Sequence, residues 1–407
     1  MPRTILHDVS VVDVETGSTA GPRSVVISDD RIESISAADV ARETGSVEGR
    51  GLFLTPGLID AHVHCFFDAG SDPLTTFLSN DEEHNLAVGR RNLGIAAAAG
   101  ITTVRDLGSP PQLMRTLMSE VESGAVVGPH IISSGAPLTR PGGHCHFFGG
   151  EVSTVDEVRS LIERQRLEGA TSVKVMASGG GMTAGTRPSA AELPLELMEA
   201  ARSAAEANGM IITAHCHATE AIRRSIAAGI PCIEHASFVE PSGHSEFDAE
   251  VANQLRATGT VVSPTVASGL RAAQLFRRQG RPYHPDDVGA IERLEARRSI
   301  AGELYTLGVT IIAGSDAGTD DTPFDVGVEE VTSLYSSGLT RQDALRAATS
   351  ASAKCLGMRR CGEVKEGFTA DLLLLGADPL VDLNALRSPL VVMKSGRIFL
   401  DRRRVEP

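Results

Sequence analysis

The sequence predicts an α/β protein: a (β/α)8 TIM barrel joined to a small β-sandwich domain built from both chain termini. Three observations lead there. Short apolar segments alternate with longer helix-like ones across residues 57–357. The alternation occurs eight times, which reads as a parallel β/α barrel. The flanks, residues 1–56 and 358–407, carry only β-like patterns, so together they make one small domain with the barrel inserted between them.

In the first flank, TILHDVSVVDV and RSVVISDDRIESIS alternate apolar and polar residues, with GSTAGP read as the turn between them. In the last flank, GEVKEGFTADLLLL and PLVVMKSGRIFL are again β-like. Between them the candidate strands are 58–64, 102–107, 130–135, 171–178, 210–217, 231–237, 260–265 and 309–316. The intervening DEVRSLIERQRLEG, PLELMEAARSAAEANG and TEAIRRSIAAG place apolar residues three and four apart and end in Gly, a common helix C-cap. A doubly wound open sheet is the structural alternative. Its phosphate-loop signature is missing, because SGGGMT has neither the G-x-G-x-x-G spacing nor a P-loop lysine.

Composition narrows the function. The 407 residues are 42% hydrophobic with a formal net charge of -14, and the longest basic run is RRR near the C-terminus. That argues against nucleic acid as a partner. No apolar run reaches bilayer length, and MPRTILHDVSVVDV has no signal-peptide h-region. A cytoplasmic location is the expectation. None of the six cysteines forms a C-x-x-C pair. Cys145 and Cys216, each inside an HCH triplet, read as packing residues that face away from their neighbours.

In a β/α barrel, chemistry stands at the C-terminal ends of the strands. The GLIDAHVHC stretch puts His62 and His64 on one face of a strand, because side chains alternate. The fourth strand carries Lys174, and the fifth ends in His215 and His217. The sixth ends in His235 and the eighth in Asp316. Metal-ligand residue types therefore converge on one mouth. Lys174 should point into the barrel, where an unpaired ammonium is costly and its pKa falls. The plain alternative is an ion pair with Asp106 or Asp316.

The set PGLIDAHVH, SVKVMASGGGMT, TAHCHATEAI, IEHASF and AGSDAG resembles the amidohydrolase superfamily, in its carboxylated-lysine, two-metal subtype. Within it, the chain looks closest to the branch of imidazolonepropionase-like proteins and Xaa-Pro or Xaa-Arg dipeptidases, which GGHCH also fits. The resemblance implies that His62, His64 and Asp316 hold one divalent ion and that His215 and His235 hold a second. Lys174, carboxylated by CO2, would bridge the two. His217 is a rival to His215. Zinc is the implied metal. Water between two ions loses a proton near neutral pH, and Asp316 would act as general base and then acid. His144 would hydrogen-bond the carbonyl or oxyanion, while the role of His146 stays open. Homo-oligomers are common in the family.

The leading expectation is hydrolysis of an amide-type C–N bond in a small molecule: a dipeptide, an N-acyl amino acid or a cyclic amide. Hydrolysis of a urea, carbamate or xenobiotic aryl amide is the alternative. A metal-binding protein without catalysis and a lyase on the same fold are further readings. A dipeptidase needs a cation for the free α-carboxylate, and Arg140 and Arg187 on the mouth loops are the candidates. The doublets at 66–67 and 147–148 (both FF) favour an apolar substrate group. SGGGMT reads as a tight loop close to substrate, and His7 and His284 read as surface residues.

Overall fold

A computed structural model of the chain describes residues 3–37, 40–42, 45–280 and 289–404. Its strands are β1 (Arg3–Asp13), β2 (Ser18–Ser28), β3 (Arg31–Ser36), β4 (Val47–Glu48), β5 (Phe53–Pro56), β6 (Leu58–Val63), β7 (Ile101–Asp106), β8 (His130–Ser133), β9 (Ser172–Met176), β10 (Ile211–Ala218), β11 (Cys232–Val239), β12 (Val261–Ser263), β13 (Leu372–Leu375), β14 (Val391–Lys394) and β15 (Arg397–Asp401). They form one eight-stranded sheet and two parallel sheets. The large sheet runs β15-β14-β13-β5-β1-β2-β3, with β4 paired to β1, so it takes strands from both ends of the chain. It covers its own apolar cluster, which includes Leu6, Val25, Leu54 and Leu374.

The parallel sheets are β6-β7-β8 and β12-β11-β10-β9. Backbone bonds link them at both seams. On one side Thr171 N donates to Ser133 O, and Leu138 exchanges bonds with Lys174 O and Met176 N. On the other, residues 310–317 run between β12 and β6: Val262 N donates to Thr310 O, Ala61 N to Ala313 O, and Asp316 N to His62 O. β6, β7, β9 and β11 are buried along their whole length and β10 in all but its first residue, as expected where helices cover the outer face, while β8 is half-buried. The helices follow the predicted spacing. Val155–Leu167 starts on a capping box between Thr154 and Glu157. Leu195–Ala207 follows Pro194, and Thr219–Ala227 follows β10 directly. No helix among the described residues is long and apolar enough to cross a membrane.

Three expectations change. The segment 309–316 does not form a ladder; it makes a single parallel bridge, Ile311 to Val262. Its backbone is used elsewhere, because Ser315 N donates to the Asp60 carboxylate and Asp316 adopts a left-handed φ of 59°. The first turn lies at residues 14–17, ahead of GSTAGP, where Asp13 Oδ1 accepts from Glu15 N and Thr16 N. His7 is only 1% exposed. A register shift between Leu6 and Val9, with Asp8 at φ 54°, breaks the alternation there and turns His7 inward. His284 lies outside the described residues.

Gly314 lets residues 310–317 lie against β6, since a Cβ there would sit 2.7 Å from His62 Cβ and 2.3 Å from Ser263 Oγ. Gly314→Ala should therefore cost about 1–3 kcal/mol, read as a lower urea midpoint with an unchanged slope.

Candidate active site

β6 delivers His62 at its end and His64 just beyond it. The preceding Asp60 is buried and ties the loop carrying Asp316 to this strand: its carboxylate accepts from Ser315 N, Ser315 Oγ and His62 N. Burial lifts its pKa to about 6. The loop's last turn brings Asp316 Oδ1 to 3.3 Å from His62 Nε2 and 3.4 Å from His64 Nε2. Ligand atoms about 2.1 Å from a tetrahedral zinc lie roughly 3.4 Å apart, so Asp316 stands at ligand spacing from each of these histidines; His62, Asp316 and His235 also offer three ligand atoms within 4.8 Å of one another.

The tautomers agree with that. His62 Nδ1 lies 2.9 Å from Glu234 Oε2. A carboxylate only accepts, so Nδ1 carries the proton and Nε2 keeps its lone pair for the cluster. Glu234 is itself held by Arg105 Nη2 and Thr213 Oγ1, both at 2.6 Å. On β10 and β11, His215 Nδ1 faces His235 Nε2 at 3.0 Å. His215 Nε2 points at Gly179 O, 3.3 Å away, and a carbonyl likewise leaves Nδ1 as the lone-pair nitrogen. His235 Nδ1 rests on Thr265 Oγ1 at 2.8 Å. His235 has φ 69°, a left-handed conformation that costs of order 1–3 kcal/mol and marks a site where the surroundings impose it.

Lys174 lies in the same cavity, a space of about 110 Å³ that His62, His64, His144, His215, His235 and Asp316 also line. Its Nζ is buried and has no hydrogen-bond partner among the described residues. Burial is the main cause that lowers its pKa. Asp106, one partner considered for it, instead accepts from Cys65 N and Gly108 N. Five of the imidazoles are held neutral for the same reason. Burial holds His62 down to about 4 and His144 down to about 3, and drives His215, His217 and His235 well below the usual histidine value. The carboxyl of Asp316, which burial alone would raise, is held low by the facing His62 and His64.

His144 sits on the loop after β8. Thr183 Oγ1 accepts from Cys145 N and lies 2.9 Å from His144 Nδ1. With its hydrogen free to go to Nδ1, the threonine leaves Nε2 as the donor. Gly180, in SGGGMT, has no side chain to block this ring: a Cβ there would lie 2.3 Å from His144 Nε2. His217 lines the cavity and bonds Ser237 Oγ, and its ring stacks on His235 at 4.5 Å. His146, on a short 3-10 turn, does not line the cavity. Cys145 lines it as a thiol whose pKa burial pushes up to about 12, and Cys216 packs beside Ser225 with the same shift.

The two expected carboxylate-binding arginines lie elsewhere. Arg140 pairs with Glu192 at 2.8 Å, and Arg187 is exposed; neither lines the cavity. The arginines that do are Arg293 and Arg297, on the Ala290–Thr306 helix. Their i,i+4 spacing in IERLEARR was the available signal, but it also fits a solvated helix face. Of the two phenylalanine doublets, only Phe67 reaches the cavity. Phe66 packs by Gly89, and Phe148 packs on Phe67 and Phe77.

The sequence profile of the Amidohydrolase family matches residues 53–399. The chain belongs to this family. An ochratoxinase from Aspergillus niger is 28% identical over 416 residues, covering 92% of this chain and 82% of its own. An imidazolonepropionase from Cutibacterium acnes is 25% identical over 98% of this chain and 96% of its own. A solved prolidase complexed with N-methylphosphonate-L-proline is 26% identical, covers 98% of this chain and 100% of its own, and superposes with a TM-score of 0.86. As an amidohydrolase, the chain carries its metal-ligand residue types on the strand ends and loops described above.

Two predictions follow from these contacts. Gly180→Ala should displace the His144 ring while keeping the fold, since the backbone there suits any residue. The expected result is a tenfold or larger loss of activity with bound metal retained. Asp320 lines the cavity with Oδ1 buried and without a partner among the described residues, and burial pushes its pKa up to about 8. Between about pH 4, the unfolded value, and about pH 8 only the folded chain keeps this proton. Stability then falls as pH rises through that window, by at most about 1.4 kcal/mol per unit. Asp320→Asn should remove this slope, so its urea midpoint gains on the wild type from pH 4 to pH 8. A pH-independent difference would contradict the assignment.

Proposed function

We propose that this amidohydrolase cleaves amide-type C–N bonds in small molecules at a two-metal centre held by His62, His64, Lys174, His215, His235 and Asp316. The observation that carries the reading is the orphaned Nζ of Lys174 within reach of the imidazole cluster's cavity. A buried amine without a partner is unfavourable. Carboxylation by CO2 turns it into an anionic ligand and removes the mismatch. The seam bonds of residues 138 and 310–317 support closing the two parallel sheets into a (β/α)8 barrel over residues 57–357. Residues 1–56 and 358–407 then form the second domain.

In this reading His62, His64 and Asp316 would hold one ion and His215 and His235 the other, with carboxylated Lys174 as a ligand common to both. Two divalent ions, zinc by the chemistry of these donors, would supply an acidified water and a polarised carbonyl. The protein's residues do the rest. Asp316, kept ionised by the facing histidines, accepts the proton from the attacking water and passes it to the leaving amine. His144 stays neutral at working pH, and its Nε2–H donates to the carbonyl oxygen as that oxygen gains charge. Glu234 keeps His62 in the ligating tautomer.

The substrate would be a dipeptide, an N-acyl amino acid or a cyclic amide. A second reading, a neutral aryl amide, urea or carbamate, is favoured by the apolar part of the wall: Phe67, Met176, Met182, Phe276 and Leu294.

Lys174→Ala should lose both bound metal and activity. Metal analysis of the purified variant beside hydrolysis assays on the zinc-reconstituted wild type checks this, and full metal content in the variant would refute the bridging role. A hydrolysis screen across dipeptides, N-acyl amino acids, carbamates, ureas and aryl amides separates the two substrate readings.

A further inference from the structure

Among the described residues three arginines are buried against the interior, and they differ in what faces them. Arg105 has Glu234 at 2.6 Å. Arg293 donates to Gly243 O at 2.9 Å. Arg297 is 7% exposed and lines the cavity, yet no carboxylate among the described residues lies in ion-pair range of it. Its Nη1 donates only to neutral oxygens: Thr265 Oγ1 at 2.8 Å, Thr265 O at 3.2 Å and Ser268 Oγ at 3.2 Å. The acids of the cavity wall are otherwise placed. Asp316 faces His62 and His64, and burial holds Asp320 in its neutral form. Glu330, the other nearby acid, caps the Val266–Gln279 helix by accepting from Val266 N and Ala267 N.

A buried guanidinium without a counter-charge is costly, and a planar fork of donors suits a carboxylate. Its position says which carboxylate. Thr265 Oγ1 touches both Arg297 Nη1 and His235 Nδ1, each at 2.8 Å, so a single hydroxyl separates the guanidinium from the His235 ring. Arg293 lies one turn earlier on the same helix face and adds positive field.

We infer that Arg297, backed by Arg293, binds the free α-carboxylate of the substrate's C-terminal amino acid, which selects dipeptides and N-acyl amino acids over their neutral analogues. The inference rests on the amide-hydrolase reading above. In it the amide carbonyl lies at the histidine cluster, the carboxylate lies on Arg297, and the amino acid's side chain meets Ala272, Phe276 and Leu294. Arg297 is then a specificity residue distinct from the six proposed ligands.

The test compares N-acetyl-L-leucine and leucine dipeptides with their C-terminal carboxamides on the zinc-loaded enzyme. A charged hydrogen bond of about 1.5–3 kcal/mol corresponds to roughly ten- to hundredfold. The wild type should prefer the acids by that factor in kcat/KM. Arg297→Met should bring the ratio close to one, chiefly through KM, with bound metal unchanged. Arg297→Lys should restore part of it, and Arg293→Met should lower it by less. Equal turnover of acids and carboxamides by the wild type would overturn the inference, as would an Arg297→Met loss that is the same for both. Calorimetric binding of N-acetyl-L-leucine and its carboxamide to the wild type gives the same comparison without turnover. If no amide is hydrolysed but the acid still binds more tightly, the hydrolase reading fails and the carboxylate site stands. Equal binding removes the site, and if the Met variant does not fold, the Lys variant and the wild-type ratio decide.

Discussion

The Glu234 carboxylate, with no access to water, joins both parallel sheets from the inside. It comes from β11, and it binds Arg105 of β7, Thr213 of β10 and His62 of β6. The outer hydrogen bonds of the strands set their order, but this interior link sets how the His62 side of the cavity faces the His235 side. It also fixes the proton on His62. Removing one partner of such a buried pair costs about 3–5 kcal/mol, because the other charge is then stranded. Position and tautomer of His62 thus rest on a group that does not line the cavity.

Burial is also what makes the site chemically usable. Six histidines line the cavity, and those with a resolved shift move downward. The five so shifted are neutral at working pH and offer lone pairs without first losing a proton. The same burial penalises the Lys174 ammonium and the Arg297 guanidinium, and the two proposals above relieve them differently: the lysine by chemical modification, the arginine by a bound anion. Asp316 keeps its charge because two imidazoles face it. One desolvated space therefore produces three different demands according to what stands nearby.

Close backbone approach is the other constraint. Gly314 lets the Asp316 segment reach β6, and Gly180 lets the His144 ring pass over the loop after β9. Left-handed residues at His235, Thr265 and Asp316 turn three site groups out of the regular pleat. Such strain persists only where surroundings over-determine it; here Asp60, Thr265 and Glu330 supply the anchoring bonds.

Much was legible in the sequence. Period-two alternation placed His62 with His64 and His215 with His217, and it turned Lys174 inward, because a strand's geometry is local. Seven of the eight candidate strands appear where the apolar runs lie, and the motifs in their order pointed to the family. Alternation failed where the backbone leaves the pleat. In IEHAS it sets Glu234 and His235 on opposite faces, yet the left-handed His235 brings both into the interior. It failed likewise at His7, beside a bulge. Charge partnering was beyond it altogether: Arg140 sits next to a motif and pairs with Glu192, while Arg297, far from any motif, lines the cavity. Where a strand keeps its pleat, a side chain's direction follows from its own few bonds, so the sequence by itself determined it. Which charges meet depends on segments distant in the chain, and only the tertiary structure decided that.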